Sequence, residues 1–345
     1  MGSGTFFLVC FLVETAIYQE YDEKLSLQDK TLHTEPIRRM LISMDHSSIT
    51  GRILISGANG LVGSALQRAW SGQSIVKLIR RGSRAKNEIV WSTELDAPAQ
   101  CPAMEGFDVV VHLAGEPVFG LWSKSKKERI RNSRVQGTKI LAQTLAECER
   151  KPRVFVCASA VGFYGNRGDE VLNERSSVGE GFLADVVREW EAAAQPARDA
   201  GIRTVNLRIG VVLSQHGGAL TMMLPAFRAG LGGTLGDGKH WMSWVTLHDL
   251  VRIIEFAINN EQMEGVLNAV SPNPVTNAEF TRTLGKVLQR PTVFPLPAFL
   301  LRGIFGQLAE EALLTSERII PERLLQAGFK FDHDELEKAL QDILA

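Results

Sequence analysis

Residues 53–70 read ILISGANGLVGSALQRAW, and the reading of this stretch decides the fold. An apolar, β-branched run passes within a few residues into a helical pattern. Between them stand Gly57, Gly60 and Gly63 in the spacing G-x-x-G-x-x-G. A helix that starts this way offers free N–H groups and a positive dipole end, both of which favour an anionic phosphate. In a dinucleotide site the first glycine allows the tight turn, the second lets the backbone approach a pyrophosphate, and the third lets helix and strand pack closely. The same glycines also suit a purely structural turn. Their place after a strand and at the head of a series of strand–helix units favours dinucleotide binding.

That series runs outward from the loop. RILIS begins at Arg52, and a helix is expected from Leu61 to Trp70. Further strands are expected over Ser74–Arg80, Asn87–Trp91, Phe107–Gly115, Arg153–Ala160 and Arg203–Leu213. FDVVVHLAG is almost continuously apolar, as a strand covered on both faces should be. Helices are expected over Lys126–Glu149, before Pro152, and over Phe182–Ala200, before Gly201. This alternation predicts an α/β fold, a doubly wound parallel sheet of Rossmann type. After Leu213 the chain becomes Gly-rich (QHGGAL, GLGGTLGDGKH) and from Ser271 Pro-rich (SPNPVTNAEF, RPTVFPLPAF), then helical. The expected organisation is a weakly ordered extension over 1–50, a nucleotide-binding domain over 51–270 and a small C-terminal α/β lobe over 271–345. Residues 216–244 are expected to contribute to that lobe, where a substrate would sit.

Composition bounds the partners. The 345 residues are 45% hydrophobic and 22% charged, with a formal net charge of −1. No block of like charge marks a nucleic-acid footprint. Cys10, Cys101, Cys148 and Cys157 are scattered without a C-x-x-C pair, which argues against a zinc site and a disulfide scaffold and suits a reducing compartment. Cys148 and Cys157 read as buried small hydrophobes. The apolar run Phe6–Val13 is too short for a bilayer, which takes roughly 20 residues, and lacks a basic leader. No membrane segment is expected, and the location expected is cytoplasmic.

The cofactor's identity turns on the second strand. NAD-preferring sites place an acid about 20 residues beyond the glycines on the ribose hydroxyls. Here the strand ends LIRRGSR, Leu78 to Arg84, with no acid at its tip. Arg80 and Arg81 can pair with a 2′-phosphate instead, which favours NADP(H). The bland alternative is two exposed surface arginines.

From Arg52 to Ala345 the chain resembles an extended short-chain dehydrogenase/reductase, and more narrowly its atypical NADP-binding "epimerase family" branch. The residues that carry the resemblance are HLAGEPV (112–118), GFLADVVREWEAAA (181–194), LRIGVVLSQHGGAL (207–220), GLGGTLGDGKHWMSWVTLHDL (230–250), LNAVSPNPVTNAEF (267–280) and the ending IIPERLLQAGFKF. The resemblance implies that the loop of Gly57, Asn59, Gly60, Leu61, Val62 and Gly63 holds the pyrophosphate. It implies that Ile79 and Arg80 lie at the adenosine ribose, and that Leu113, Ala114 and Gly115 line the cofactor. Arg129 and Arg134 match positions near the cofactor, and Val212 matches a contact near the nicotinamide. For Arg129 a solvated helix face is an equal reading. Homodimers through paired helices are common in the superfamily, so a homodimer is an open reading that no short motif encodes.

The superfamily's catalytic pair, Tyr-x-x-x-Lys, is missing. Phe182 stands near the Tyr position and Val186 near the Lys position, and neither can move a proton. Of Tyr18, Tyr21 and Tyr164, only Tyr164 lies in the expected fold. Ser159 stands one residue before the usual catalytic serine, whose place is taken by Ala160. The candidate catalytic residues are therefore Tyr164, Ser159 and Glu191, with Glu116, His240 and His248 as further substitutes. Asp249 reads as a buried structural acid. Trp241 and Trp244 read equally as an aromatic wall or as core. The expectation is an NADP(H)-dependent oxidoreductase or epimerase-like protein with a small-molecule, nucleotide-sugar-like substrate. The rivals are a non-catalytic NADP(H) sensor or scaffold, and a nucleotide-sugar-binding protein without redox work.

Overall fold

Arg52–Ser56 forms β1, and Ile53, Leu54 and Ile55 are fully buried because the sheet is covered on both faces. The computed structural model describes residues 49–80, 86–92 and 101–345, all within the unit Ser48–Ala345. The readings made for residues 1–48 lie outside the described residues. Ile49 is buried in the core beside β1.

Six strands join β1: β2 (Ser74–Ile79), β3 (Glu88–Val90), β4 (Val109–His112), β5 (Val154–Ala160), β7 (Arg203–Ile209) and β11 (Gly265–Ala269). They form one seven-stranded sheet in the order β11-β7-β5-β4-β1-β2-β3. Every pairing is parallel, with Ile53 beside both Ile75 and Val109. The chain winds outward from β1 to β3 and then crosses back to β4. The direction of winding therefore reverses between β1 and β4, and this switch point opens the crevice where such sheets bind ligands.

The period of two in a strand sorts the apolar runs between two cores. Ile53, Ile55, Val109, Val111, Val154 and Val156 face a cluster completed by Leu66 of α1 (Leu61–Ala69) and Leu250, Ile253 and Ile254 of α6 (Leu247–Asn259). Leu54, Val110 and Phe155 face the other cluster, with Leu141 and Leu145 of α2 (Lys124–Glu147) and Trp190 of α3 (Phe182–Ala193). Cys157 belongs to this second core, where burial pushes its thiol up to about 12 and leaves it inert.

A third cluster builds the smaller lobe. It joins α5 (Ala219–Arg228), α7 (Asn277–Leu288) and α8 (Leu336–Leu344) around Leu224, Phe227, Trp244, Phe280, Leu284 and Leu340. Three short pairings tie the lobe to the sheet ends. β6 (Val171–Leu172) runs parallel to β13 (Arg318–Ile319), and β8 (Val211–Leu213) runs parallel to β10 (Trp244–Thr246). β9 (Trp241–Met242) runs antiparallel to β12 (Val275–Thr276).

Two expected elements are each divided in the structure. The helix expected over Phe182–Ala200 is α3 followed by α4 (Gln195–Asp199), with Pro196 in the first turn of α4, where its missing N–H costs nothing. The strand expected over Arg203–Leu213 ends at Ile209. At Gly210 the chain leaves the sheet, and a side chain there would lie 2.6 Å from the Ser243 carbonyl oxygen. No helix among the described residues is long and apolar enough to cross a membrane.

Candidate functional site

The crevice between β1 and β4 is formed by two loops that touch. Gly57 has φ +69°, and a methyl group on it would lie 2.7 Å from the Leu113 carbonyl carbon and 2.8 Å from the Ala114 nitrogen. Only glycine meets both demands. The Gly60 N–H closes the turn onto the Gly57 oxygen at 3.0 Å. Gly63, in the first turn of α1, sits so tightly that a methyl group would fall 2.3 Å from the Gly57 oxygen. No side chain caps α1 at Gly60, so the first-turn N–H groups of Leu61, Val62 and Gly63 are left for an anion in the crevice. Such a cradle fits a dinucleotide pyrophosphate.

Ser56 fastens the two loops from below. Its Oγ accepts N–H groups from Leu113 (3.2 Å) and Ala114 (3.3 Å) and lies 2.5 Å from His112 Nδ1. Burial holds the His112 imidazole down to about 4, so it is neutral at physiological pH. The Ser56 hydroxyl and His112 Nδ1 share one hydrogen bond, whose direction follows the imidazole tautomer. Among the described residues Nε2 is buried without a partner, and the imidazole lies near the Trp91 ring at a centroid distance of 6.4 Å.

Arg134 supports the next segment. Its Nη1 donates to the Glu116 oxygen (2.9 Å) and the Ile130 oxygen (3.2 Å), its guanidinium lies 5.2 Å from the Trp190 ring centre, and it backs Gly115. Burial lowers its pKa to about 10, against the Glu116 charge, so it remains a cation. The Glu116 carboxylate is drawn below its usual range by the Lys126 ammonium at 2.9 Å, against the effect of burial, and Arg129 adds a weaker contact at 3.3 Å. Arg129 itself is largely exposed and also reaches Ser125. At the far end of the crevice Ile79 ends β2 and Arg80 stands exposed beside it. Arg81 lies outside the described residues. Val212, on β8, lies under the Gly217–Gly218 turn, which also meets the Leu61 side chain at the start of α1.

Tyr164, Ser159 and Glu191 come together in one buried network, centred on a residue that the sequence reading did not single out. Arg208, on β7, donates through Nε and Nη2 to the two Glu191 oxygens at 2.8 Å each. Ser159 donates to Glu191 Oε1 at 2.6 Å. Arg208 Nη1 donates to the Tyr164 hydroxyl at 2.9 Å, and that hydroxyl donates to Asn268 Oδ1 at 2.7 Å. The guanidinium stacks on Phe163, 3.3 Å from the ring centre. Burial raises the Tyr164 pKa despite Arg208, while the bonds from Glu191 and Tyr164 outweigh burial and raise that of Arg208. A charged residue inside the buried strand RTVNLRI is the signal that could have identified Arg208.

The remaining candidates disperse. Trp244 is core and donates to the Asn273 oxygen at 3.0 Å. Trp241 is partly exposed, with Arg318 stacked at 4.3 Å and its indole N–H on Asp169. His240 is partly desolvated, which lowers its pKa. Among the described residues, the side chains of His248, Asp249 and Asp332 approach closely enough to surround a cation, but Arg252 already bridges the two carboxylates at 2.7 and 3.2 Å. Asp249 is fully buried and accepts N–H groups from Asp332 (3.1 Å) and His333 (2.9 Å).

The glycine cradle on a parallel sheet with its reversal between β1 and β4 agrees with comparison to known proteins. Residues 53–269 match the model of the NAD dependent epimerase/dehydratase family, and residues 296–343 match a domain of unknown function, DUF1731. The chain belongs to the NAD dependent epimerase/dehydratase family. An "epimerase family protein" of Mycobacterium leprae is 39% identical over 300 residues, covering 86% of this chain and 97% of that protein. The crystal structure of human epimerase family protein SDR39U1 with NADPH superposes with a TM-score of 0.78 at 31% identity, covering 85% of this chain and 98% of that one. A nucleoside-diphosphate sugar epimerase structure from Corynebacterium glutamicum matches with a TM-score of 0.70 at 37% identity, over 86% of this chain and 59% of that one.

Proposed function

We propose that this chain is an NADP(H)-dependent oxidoreductase or epimerase acting on a substrate of nucleoside-diphosphate-sugar type. The observation that carries the reading is the cradle of Gly57, Gly60 and Gly63 against Leu113–Ala114, which leaves the start of α1 open to a pyrophosphate. The NADPH bound to the human relative supports the choice of cofactor. The Corynebacterium relative, described as a nucleoside-diphosphate sugar epimerase, supports the substrate class.

In this reading Gly57, Asn59, Gly60, Leu61, Val62 and Gly63 hold the pyrophosphate, and Ile79, Arg80 and Arg81 hold the adenosine ribose and its 2′-phosphate. Leu113, Ala114 and Gly115 line the middle of the cofactor, backed by Arg134 and edged by Arg129, and Val212 lies toward the nicotinamide. Bound there, NADP(H) supplies or accepts a hydride. Ser159, Glu191 and Tyr164 act together as a positioning network: their polar groups are committed to one another and to Arg208, and through Arg208 they fix Phe163 at the sheet ends.

Calorimetric titration with NADPH and NADH, then with UDP-glucose on the saturated complex, tests the proposal. NADPH is expected to bind well ahead of NADH, and Arg80→Ala to narrow that preference by about tenfold, since a charge-assisted hydrogen bond contributes about 1.5–3 kcal/mol. UDP-glucose is expected to give heat on the saturated complex. Absent NADPH binding would defeat the reading, and NADPH binding with no second ligand would favour a sensor.

A further inference from the structure

Glu317 is a buried acid that the cofactor crevice does not use. It is 9% exposed, and among the described residues its carboxyl has neither a hydrogen-bond nor an ion-pair partner. Its backbone, by contrast, is firmly held. The Glu317 N–H donates to the Trp241 oxygen (3.1 Å), and Ser243 Oγ donates to the Glu317 oxygen (2.7 Å). Ser243 Oγ in turn accepts the Ile319 N–H (2.9 Å), and Ser316 Oγ accepts the Trp241 N–H (3.0 Å). A carboxyl buried without a protein partner on so well-anchored a segment costs stability, and such a cost points to a use.

Its position agrees with a use on the substrate side. Ile319, two residues on, packs with Val161, Tyr164, Leu172 and Val270 over the ends of β5 and β11. Between Glu317 and Ile319, Arg318 turns onto the Trp241 ring, 4.3 Å from its centre. Ser243, which holds Glu317, abuts Gly210, where the chain leaves β7. The Val211 N–H donates to the Ser243 oxygen at 2.8 Å, so Glu317 is held beside the start of β8, the strand that carries Val212.

We infer that Glu317 supplies the proton that the missing Tyr-x-x-x-Lys pair would otherwise supply. This rests on the NADP(H)-dependent reading proposed above. In the reductive direction the substrate carbonyl carbon accepts the hydride of the reduced dinucleotide, and the C=O π pair moves onto oxygen. The Glu317 O–H bond breaks as that oxygen takes its proton. The products are the alcohol, the oxidised dinucleotide and a carboxylate, which regains its proton from water. Burial pushes the Glu317 carboxyl up to about 8, so the acid form is present at neutral pH. The charged and titratable groups on the neighbouring elements have their own partners. Asp169 takes the Trp241 indole, Glu170 pairs with Arg167, Tyr164 is shared by Arg208 and Asn268, and Arg318 lies on Trp241. His240, beside Trp241, is neutral at that pH because burial lowers its pKa.

The test uses the full chain labelled with carboxyl-¹³C glutamate and saturated with NADP⁺, as wild type and Glu317→Gln. One resonance, absent from the variant, is expected to titrate near 8 and to move when UDP-glucose is added. A Glu317 resonance in the ordinary glutamate range, or one that UDP-glucose leaves unmoved, overturns the inference. In NADPH oxidation with 9,10-phenanthrenequinone as the carbonyl probe, the wild-type kcat should fall as pH rises through about 8. Glu317→Gln should lower kcat at neutral pH by about 100-fold with NADPH affinity unchanged, and Glu317→Asp should recover part of it. A variant that keeps the wild-type rate, or a wild type without turnover, also overturns the inference. A wild type that fails to bind NADPH defeats the cofactor reading instead, and the titration of Glu317 in the free chain is then read on its own.

Discussion

The imidazole of His112 stays neutral well below the range of a free histidine because its whole ring is buried, with the Ser56 hydroxyl as its polar contact among the described residues. The unfolded chain takes up a proton there near 6.5, and the folded chain resists until about 4. The depressed pKa therefore contributes stability that is fully present above 6.5 and is lost as pH falls toward 4. Its size is about 3 kcal/mol. Urea denaturation of wild type and His112→Asn at about pH 7 and about pH 4.5 measures it. The wild type should lose more stability than the variant over that interval, and an equal loss in both would remove His112 from the account. The residue also shows what was legible at this scale. Gly57, Gly60 and Gly63 announced themselves by spacing. The Ser56–His112 clasp did not, because the two residues meet only where β1 and β4 lie side by side.

At the scale of elements, the apolar runs revealed the inner strands, and a switch of hydrophobic period marked the helices. β11 escaped because GVLNA is short and opens on glycine, and its Asn268 looks out of place until Tyr164 is seen donating to it. The break at Gly210 escaped because its cause, the Ser243 carbonyl, lies 33 positions away in the chain. The same holds for the network that joins β5, β7 and α3. Glu191 and Ser159 were readable as polar candidates, whereas their common partner Arg208 was hidden in an apolar strand. Its side chain is 4% exposed and that of Glu191 is 11% exposed, so removing one partner leaves a buried charge without compensation. Arg208→Met is expected to destabilise the fold by about 3–5 kcal/mol, as breaking a buried pair does. Replacing both, with Arg208→Met and Glu191→Leu, should recover a large part of that loss, because no charge is then stranded. A double-mutant cycle in guanidinium chloride measures both. Additive losses would mean that the pair is not coupled.

At the scale of the whole molecule, a buried acid is one of the ties between the C-terminal lobe and the sheet. Asp249 lies in the first turn of α6, a helix of the sheet core, and accepts the N–H groups of Asp332 and His333 just before α8. Around it Arg252 pairs with Asp249 and Asp332, His248 lies 2.7 Å from Asp332, and His333 lies 3.2 Å from Asp342 of α8. The sequence marked Asp249 as a structural acid but could not say what it held, because its partners are more than eighty residues distant. Asp249→Ala leaves two backbone N–H groups without their acceptor and frees Arg252 from its shortest contact. An unsatisfied buried donor costs about 1–3 kcal/mol, so a loss of about 2–5 kcal/mol is expected. The loss should be uneven. Hydrogen exchange should rise over 332–344 while β1 and β4 keep their protection, because those strands lie in the middle of the sheet and are buried in its two cores. If the substrate lies between the sheet ends and this lobe, the variant should keep its NADPH affinity and lose response to UDP-glucose. Exchange rising equally in β1 would mean that lobe and sheet open as one unit, and that Asp249 serves global stability alone.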